Sequence, residues 1–419
     1  MAVPGDKSVS HRALMLGGIA QGRTIVRGFL EGEDCLATMA AMRSMGVRID
    51  REPGGAVEVE GVGLHGLSAA PGPLDMGNAG TAMRLFTGLL AGQDFDSVLV
   101  GDSSLMKRPM ERVAAPLRLM GAAIETSAGR PPVRIAGGRR LKGIDYRMEV
   151  ASAQVKSAIL LAGLYADGRS SVTEPAVTRD HTERMLRAFG VPVEAAGSTV
   201  SLLPSPLRAC EIEVPGDFSS AAFFLVAATV AGQAPLTIRN VGTNPTRTGL
   251  LDILRLMGAR IELTNERRAG DEPVADLVVH PAELRGIEVP ERLVPLAIDE
   301  FPVLFVAAAL AQGETVVTGA AELRVKESDR IGVMAEGLAA LGAAVEARPD
   351  GMWIRGGGLA GGVVDSHGDH RIAMSFAVAA ARASAPVRIL DVANVATSFP
   401  GFVGVARAAG LDLAVGGPP

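Results

Sequence analysis

The chain has 419 residues, 48% of them hydrophobic and 21% charged, which supplies two or three cores and is too apolar for a disordered chain. Lys plus Arg (41) against Asp plus Glu (46) gives a net charge of −5, so no basic field is offered to nucleic acid. Two cysteines, Cys35 and Cys210, exclude a disulfide framework or CxxC site; the apolar runs at 223–230 and 303–311 are too short to span a bilayer, and residues 1–21 are too charged for a signal peptide.

Taken in chain order, one pattern recurs. An apolar helix (SVSHRALMLGGIAQG), a short strand (TIVRG), a second helix closing at Gly46 (AAMRSMG) and a strand pair ending in VEVEGVGLHGL form the first copy. The next copies open at GTAMRLFTGLLAG, SAQVKSAILLAGLYADG, DFSSAAFFLVAATVAG, DEFPVLFVAAALAQG and DHRIAMSFAVAAARAS. Their second helices close at Gly121, Gly190, Gly258, Gly342 and Gly410, glycine suiting a helix C′ position with φ > 0. The first helices are apolar on all sides, which predicts burial; the second are amphipathic. Six copies of a βαβαββ unit account for the chain. The match of GVGLHG (61–66) to the dinucleotide fingerprint GxGxxG is rejected, because Pro71 and Pro73 follow where a helix must start.

VPGDKS at 3–8 and VPGDFS at 214–219 open the first and fourth copies. Two three-repeat domains are expected, 5–232 and 233–419, with 1–4 joining the second. A strand, EIEV, precedes the fourth opening where the first has only Met-Ala-Val. The expectation is therefore that a strand belonging to the second domain is missing from the start.

The first-helix starts carry polar groups that a buried helix does not need: Ser8, His11 and Arg12; Asn78, Thr81 and Arg84; Ser152, Gln154 and Lys156; Asp299 and Glu300; Asp369, His370 and Arg371. Capping explains the short polar residues, but a cation at the positive end of a helix dipole is favourable only with an anion present. Second-helix starts repeat the theme with Lys107, Arg108, Arg179, Lys326, Glu327 and Arg330, and the spacing of Lys326 and Arg330 places them on one helical face. Pro109, after Arg108, suits a first helical turn. Only five of the 41 basic residues are lysines, and four of these (Lys7, Lys107, Lys156, Lys326) lie in these segments. A small polyanionic ligand is implied, with Asp299 and Glu327 as proton carriers among the cations. His65, His280 and His367 have no metal-ligand spacing and read as surface residues.

With PGDKSVSHR, GNAGTAMR, GDSSLMKRPM, SAQVKSA, TRDHTE, IDEFP, RVKESDR and DHRIAMSF in order, the chain resembles the 5-enolpyruvylshikimate-3-phosphate synthases, one branch of the enolpyruvyl transferases. The resemblance implies an α/β fold, a two-domain inverse α/β barrel with three repeats per domain, closing around its substrates. It implies transfer of the carboxyvinyl group of phosphoenolpyruvate to the 5-hydroxyl of shikimate 3-phosphate through a tetrahedral intermediate. It also implies a cytoplasmic, monomeric shikimate-pathway enzyme with no cofactor or metal and no nucleic-acid or membrane partner. By the same resemblance Lys7, Ser8, Arg12, Ser152, Ala153, Gln154, Arg179, Asp299 and Lys326 contact shikimate 3-phosphate. Lys7, Gly80, Arg108, Gln154, Arg330 and Arg371 surround phosphoenolpyruvate. Asp299 acts as base, and Glu327 with Lys7 handles the methylene proton.

Ala153 replaces a serine found in part of the family, and Thr397 stands where another branch has a lysine, so no cation is carried over there. The family's inhibitor glyphosate occupies the phosphoenolpyruvate site. Gly80, alanine in tolerant members, implies appreciable sensitivity, while Leu85, proline in sensitive relatives, pulls the other way. The rivals are the UDP-N-acetylglucosamine enolpyruvyl transferases, disfavoured because GDSSLMKRPM lacks their cysteine, and a non-catalytic binder of phosphorylated metabolites, disfavoured by intact Lys7, Asp299, Glu327 and Arg371.

Overall fold

The computed structural model describes residues 1–416 of a mixed α/β chain. The chain divides into two compact units. The N-terminal unit comprises Gly5–Val214 and Ala269–Glu272; the C-terminal unit comprises Met1–Pro4, Pro215–Arg268 and the chain from Pro273 onward. The boundary thus falls at Val214/Pro215 and not near Gly232. Strand Glu211–Glu213 runs parallel to Ile25–Arg27 and so belongs to a sheet of the N-terminal unit. Helix Phe218–Ala231 instead packs Phe223 and Phe224 against Phe399 and Phe402.

In the N-terminal unit three four-stranded sheets share one order: a parallel edge pair, then two antiparallel neighbours. They run Glu211–Glu213, Gln21–Arg27, Val57–Val62, Arg48–Arg51; Leu74–Asp75, Ser97–Val100, Arg130–Ala136, Ala123–Ser127; and Asp145–Arg147, Ser170–Thr173, Thr199–Leu202, Val193–Ala196. Helices Lys7–Ile19, Gly80–Leu90 and Ala153–Gly163 are buried nearly throughout, as their all-round apolar sequences require.

The C-terminal unit has sheets Leu236–Gly242, Glu272–His280, Arg260–Ala269; Glu314–Val317, Gly351–Arg355, Ala344–Arg348; and the parallel pair Gly362–Asp365, Val387–Leu390. Ala2 pairs in parallel with Arg239. Its buried helices are Phe218–Ala231, Phe301–Ala309 and His370–Ala380. Each unit has its own continuous apolar core.

The six helix-stop glycines take φ between +84° and +102°, a region in which a Cβ is penalised. After Val57–Val62 the chain turns through GVGLHG, and the next helix does not begin until Gly80; no dinucleotide-type strand–turn–helix forms. After the last stop glycine, Gly410, residues 411–416 form no strand. No described helix is long and apolar enough to cross a membrane.

Candidate active site

In the N-terminal unit, Asp6 caps helix Lys7–Ile19 by accepting from Val9 N at 2.9 Å, which sets Lys7, Ser8 and Arg12 on its first turns. Lys7 Nζ pairs with Asp34 Oδ2 at 2.9 Å. The buried Arg12 donates from Nε to Thr182 Oγ1 (2.7 Å), from Nη1 to Ser8 O (2.9 Å) and from Nη2 to Ser157 Oγ (3.0 Å). Burial lowers its pKa to about 10 against the opposing fields of Glu183 and Asp6, and the nearby charge of Arg179 adds to the lowering. It stays cationic at neutral pH.

A second group gathers around Gly80, the first residue of its helix. Arg108 Nη2 donates to Asn78 Oδ1 at 2.6 Å, Arg84 Nη1 to Gln154 Oε1 at 2.6 Å, and Gln154 Nε2 to Thr81 Oγ1 at 2.9 Å. A Cβ on Gly80 would stand 2.8 Å from Arg108 Nη1 and 3.3 Å from Arg84 Nη1. The missing side chain is what lets two guanidiniums approach this helix start. Ser152 caps helix Ala153–Gly163, accepting from Val155 N at 3.4 Å, with Ala153 as its first residue.

Three expectations change here. Lys107 is exposed while Arg108 is buried, so the adjacent cations do not act alike. Pro109 lies outside the following helix, which begins at Glu111. Lys156 points into the core, where Nζ lies 2.8 Å from Glu174 Oε2 and 2.7 Å from Glu183 Oε1. Burial opposes its charge, but the two glutamates outweigh it and raise the pKa. It is a structural ion-pair centre.

In the C-terminal unit, Asp299 Oδ1 lies 3.5 Å from Lys326 Nζ and 3.4 Å from Arg330 Nη1. Arg330 also donates from Nη2 to Glu327 Oε2 at 2.6 Å and from Nε to Asp369 Oδ2 at 2.8 Å. Burial works against this guanidinium, yet Asp369, Glu327 and Asp299 prevail and push its pKa upward. Arg371 Nη1 donates to Asp299 O at 3.1 Å. Asp369 caps the helix of Arg371, accepting from its N at 2.9 Å. Lys326 and Arg330 do not share a helical face: a 3₁₀ turn spans Ala321–Val325 and the helix begins at Arg330. They converge on Asp299 through the intervening loop.

Sequence reasoning missed Asp34, Ser157 and Thr182, and it left Arg84 and Glu300 among the helix-start residues without a role. Arg84 carried the only usable signal, a cation at a helix start. His65 and His367 are exposed, and His280 faces Glu262 on a hairpin. Among the described residues no group of three or more His, Cys, Asp or Glu is arranged to hold a metal ion. Each unit therefore presents fixed cations, and the C-terminal one adds three carboxylates, Asp299, Glu327 and Asp369, bound to the single Arg330. Such sets bind small polyanions and move protons.

The family model described as EPSP synthase (3-phosphoshikimate 1-carboxyvinyltransferase) matches residues 1–405. The 3-phosphoshikimate 1-carboxyvinyltransferase of Methylococcus capsulatus is 62% identical over 415 residues, covering 99% of this chain and 95% of the other. The protein of the same name from Alkalilimnicola ehrlichii is 62% identical over 419 residues, covering 99% and 94%. A solved EPSP synthase from Acinetobacter baumannii superposes with a TM-score of 0.87 at 57% identity, covering 98% of this chain and 95% of that one.

Proposed function

This chain belongs to the EPSP synthase family, the 3-phosphoshikimate 1-carboxyvinyltransferases of the shikimate pathway, and from that premise we propose how its residues divide the reaction. Shikimate 3-phosphate is held by Lys7, Ser8, Arg12, Ser152, Ala153, Gln154 and Arg179, with Asp299 and Lys326. Phosphoenolpyruvate is held by Lys7, Arg108, Gln154, Arg330 and Arg371, with Gly80 lining its place. The fold is read as a two-domain inverse α/β barrel of six βαβαββ repeats. The common order of the N-terminal sheets and the six stop glycines support that reading. The enzyme works as a cytoplasmic monomer without cofactor or metal, and glyphosate competes at the phosphoenolpyruvate residues.

In the addition step the 5-hydroxyl oxygen bonds to C2 of phosphoenolpyruvate while its proton passes to Asp299. Glu327, with Lys7, delivers a proton to C3. In the elimination Glu327 takes a proton back from C3, the C2–O bond to phosphate breaks, and the proton on Asp299 leaves with phosphate. The observation that carries these roles is the buried Arg330, bonded at once to Asp299, Glu327 and Asp369. One guanidinium fixes both proton carriers and keeps positive charge beside the phosphate that departs.

The test is phosphate release from phosphoenolpyruvate with shikimate 3-phosphate, run in parallel with UDP-N-acetylglucosamine and without added metal. Release is expected with shikimate 3-phosphate only; release with the nucleotide sugar instead would overturn the acceptor assignment. Asp299→Ala should lower kcat by about 10²-fold or more while changing the phosphoenolpyruvate KM far less. Equal effects on both would remove its role as base.

A further inference from the structure

Glu300 follows the proposed base and stands at the N-cap of helix Phe301–Ala309, yet its carboxylate makes no cap hydrogen bond. It is 2% exposed. Oε1 accepts from Ser219 Oγ and lies 3.7 Å from Arg371 Nη1 and 4.0 Å from Arg247 Nη2. Arg247 Nη2 in turn donates to Ser219 Oγ at 2.5 Å and to Asp217 Oδ1 at 3.0 Å. Asp217 caps helix Phe218–Ala231, accepting from Ser220 N at 2.9 Å. Charges therefore alternate along one buried row: Arg371, Glu300, Arg247, Asp217. The row ties together three helix starts.

A buried carboxylate not spent on its own helix needs partners to offset its desolvation. Here those partners set its direction. Ser219 and Arg247 hold Glu300 from one side, and Glu300 with the Asp299 carbonyl oxygen holds Arg371 Nη1 from the other. Arg371 thus has its head located by the dipeptide that carries the base.

We propose that Glu300 is a positioning residue for Arg371, with Ser219 and Arg247 as its anchor, so that the guanidinium meets the carboxylate or phosphate of phosphoenolpyruvate at a fixed place beside Asp299. This rests on the reading of Arg371 as a phosphoenolpyruvate cation. Glu300 touches no substrate; it acts through Arg371, and its removal weakens one substrate and spares the other.

The experiment is a double-mutant cycle on the full chain, with KM for both substrates and kcat measured for Glu300→Gln, Arg371→Ala and the pair, and folding followed by thermal melts. Glu300→Gln should raise the phosphoenolpyruvate KM about tenfold, the scale on which one close charge pair acts on binding, and leave that for shikimate 3-phosphate within about twofold. In the Arg371→Ala background the same change should add less than about twofold, because the group it acts through is gone. Multiplying effects, or an unchanged KM, would overturn the proposal. An Arg371→Ala enzyme with normal phosphoenolpyruvate KM would overturn the underlying reading instead, which separates the two failures. Should Glu300→Gln not fold, Ser219→Ala decides by the same criteria. It should raise the phosphoenolpyruvate KM about threefold, again only while Arg371 is present.

Discussion

Gly80 shows how one absent side chain shapes a helix start. Arg108 Nη1 stands 2.8 Å from where a Cβ would be, and Arg108 is itself tied to Asn78 and Ser104. A methyl there must displace a buried, bonded guanidinium, because real Cβ contacts are not that short. Gly80→Ala should therefore raise the phosphoenolpyruvate KM by about three- to tenfold and weaken glyphosate inhibition by more than that. Steady-state kinetics with and without inhibitor checks both; an unchanged inhibition constant would remove Gly80 from the proposed phosphoenolpyruvate site. Lys156 and Lys326 make the complementary point. Both are lysines near helix starts, yet one meets Glu174 and Glu183 in the core while the other faces Asp299. Nothing local distinguishes them, since the decisive carboxylates lie on other segments.

Helix Lys7–Ile19 concentrates a different problem on one element. His11 lies between Lys7 and Arg12, fully buried, with Nδ1 2.7 Å from Thr38 Oγ1. Burial, then the charges of Lys7 and Arg12, hold its pKa down to about 3, with Asp6 opposing. A base whose folded pKa is lowered binds fewer protons when folded. Its contribution is complete above the unfolded value near 6.5 and is lost as pH falls toward 3. The cost is about 1.4 kcal/mol per pH unit within that window. The melting temperature should already fall between about pH 6.5 and 5, before most carboxylates titrate. His11→Asn should flatten that segment of the profile; an identical slope in the variant would show that another group controls it. The element itself is easy to read from sequence. Asp6 is a short polar cap before an unbroken apolar run, and the glycines ending the second helices needed only local sterics. What the pattern does not give is the break between Val325 and Arg330, because two cations four apart look alike on a helix or flanking a loop.

At the scale of the whole molecule, two separate apolar cores predict two cooperative units. Calorimetry should give a total unfolding enthalpy larger than the van't Hoff enthalpy of the main transition; equality of the two would mean that the chain unfolds as one unit. Composition, the repeated apolar helices, the stop glycines and the cations at helix starts were all legible in the sequence. Each follows from a residue and its near neighbours: apolar periodicity, a positive φ, a charge beside a helix dipole. Tertiary structure decided the rest. It put the boundary at Val214, because strand Glu211–Glu213 finds its partner at Ile25–Arg27. It turned Lys156 inward, joined Asp299, Glu327 and Asp369 through Arg330, and gave Glu300 a task other than capping. Those outcomes depend on which groups meet after segments distant in sequence have packed, since hydrogen bonds and ion pairs act over a few ångströms of space and take no account of separation along the chain.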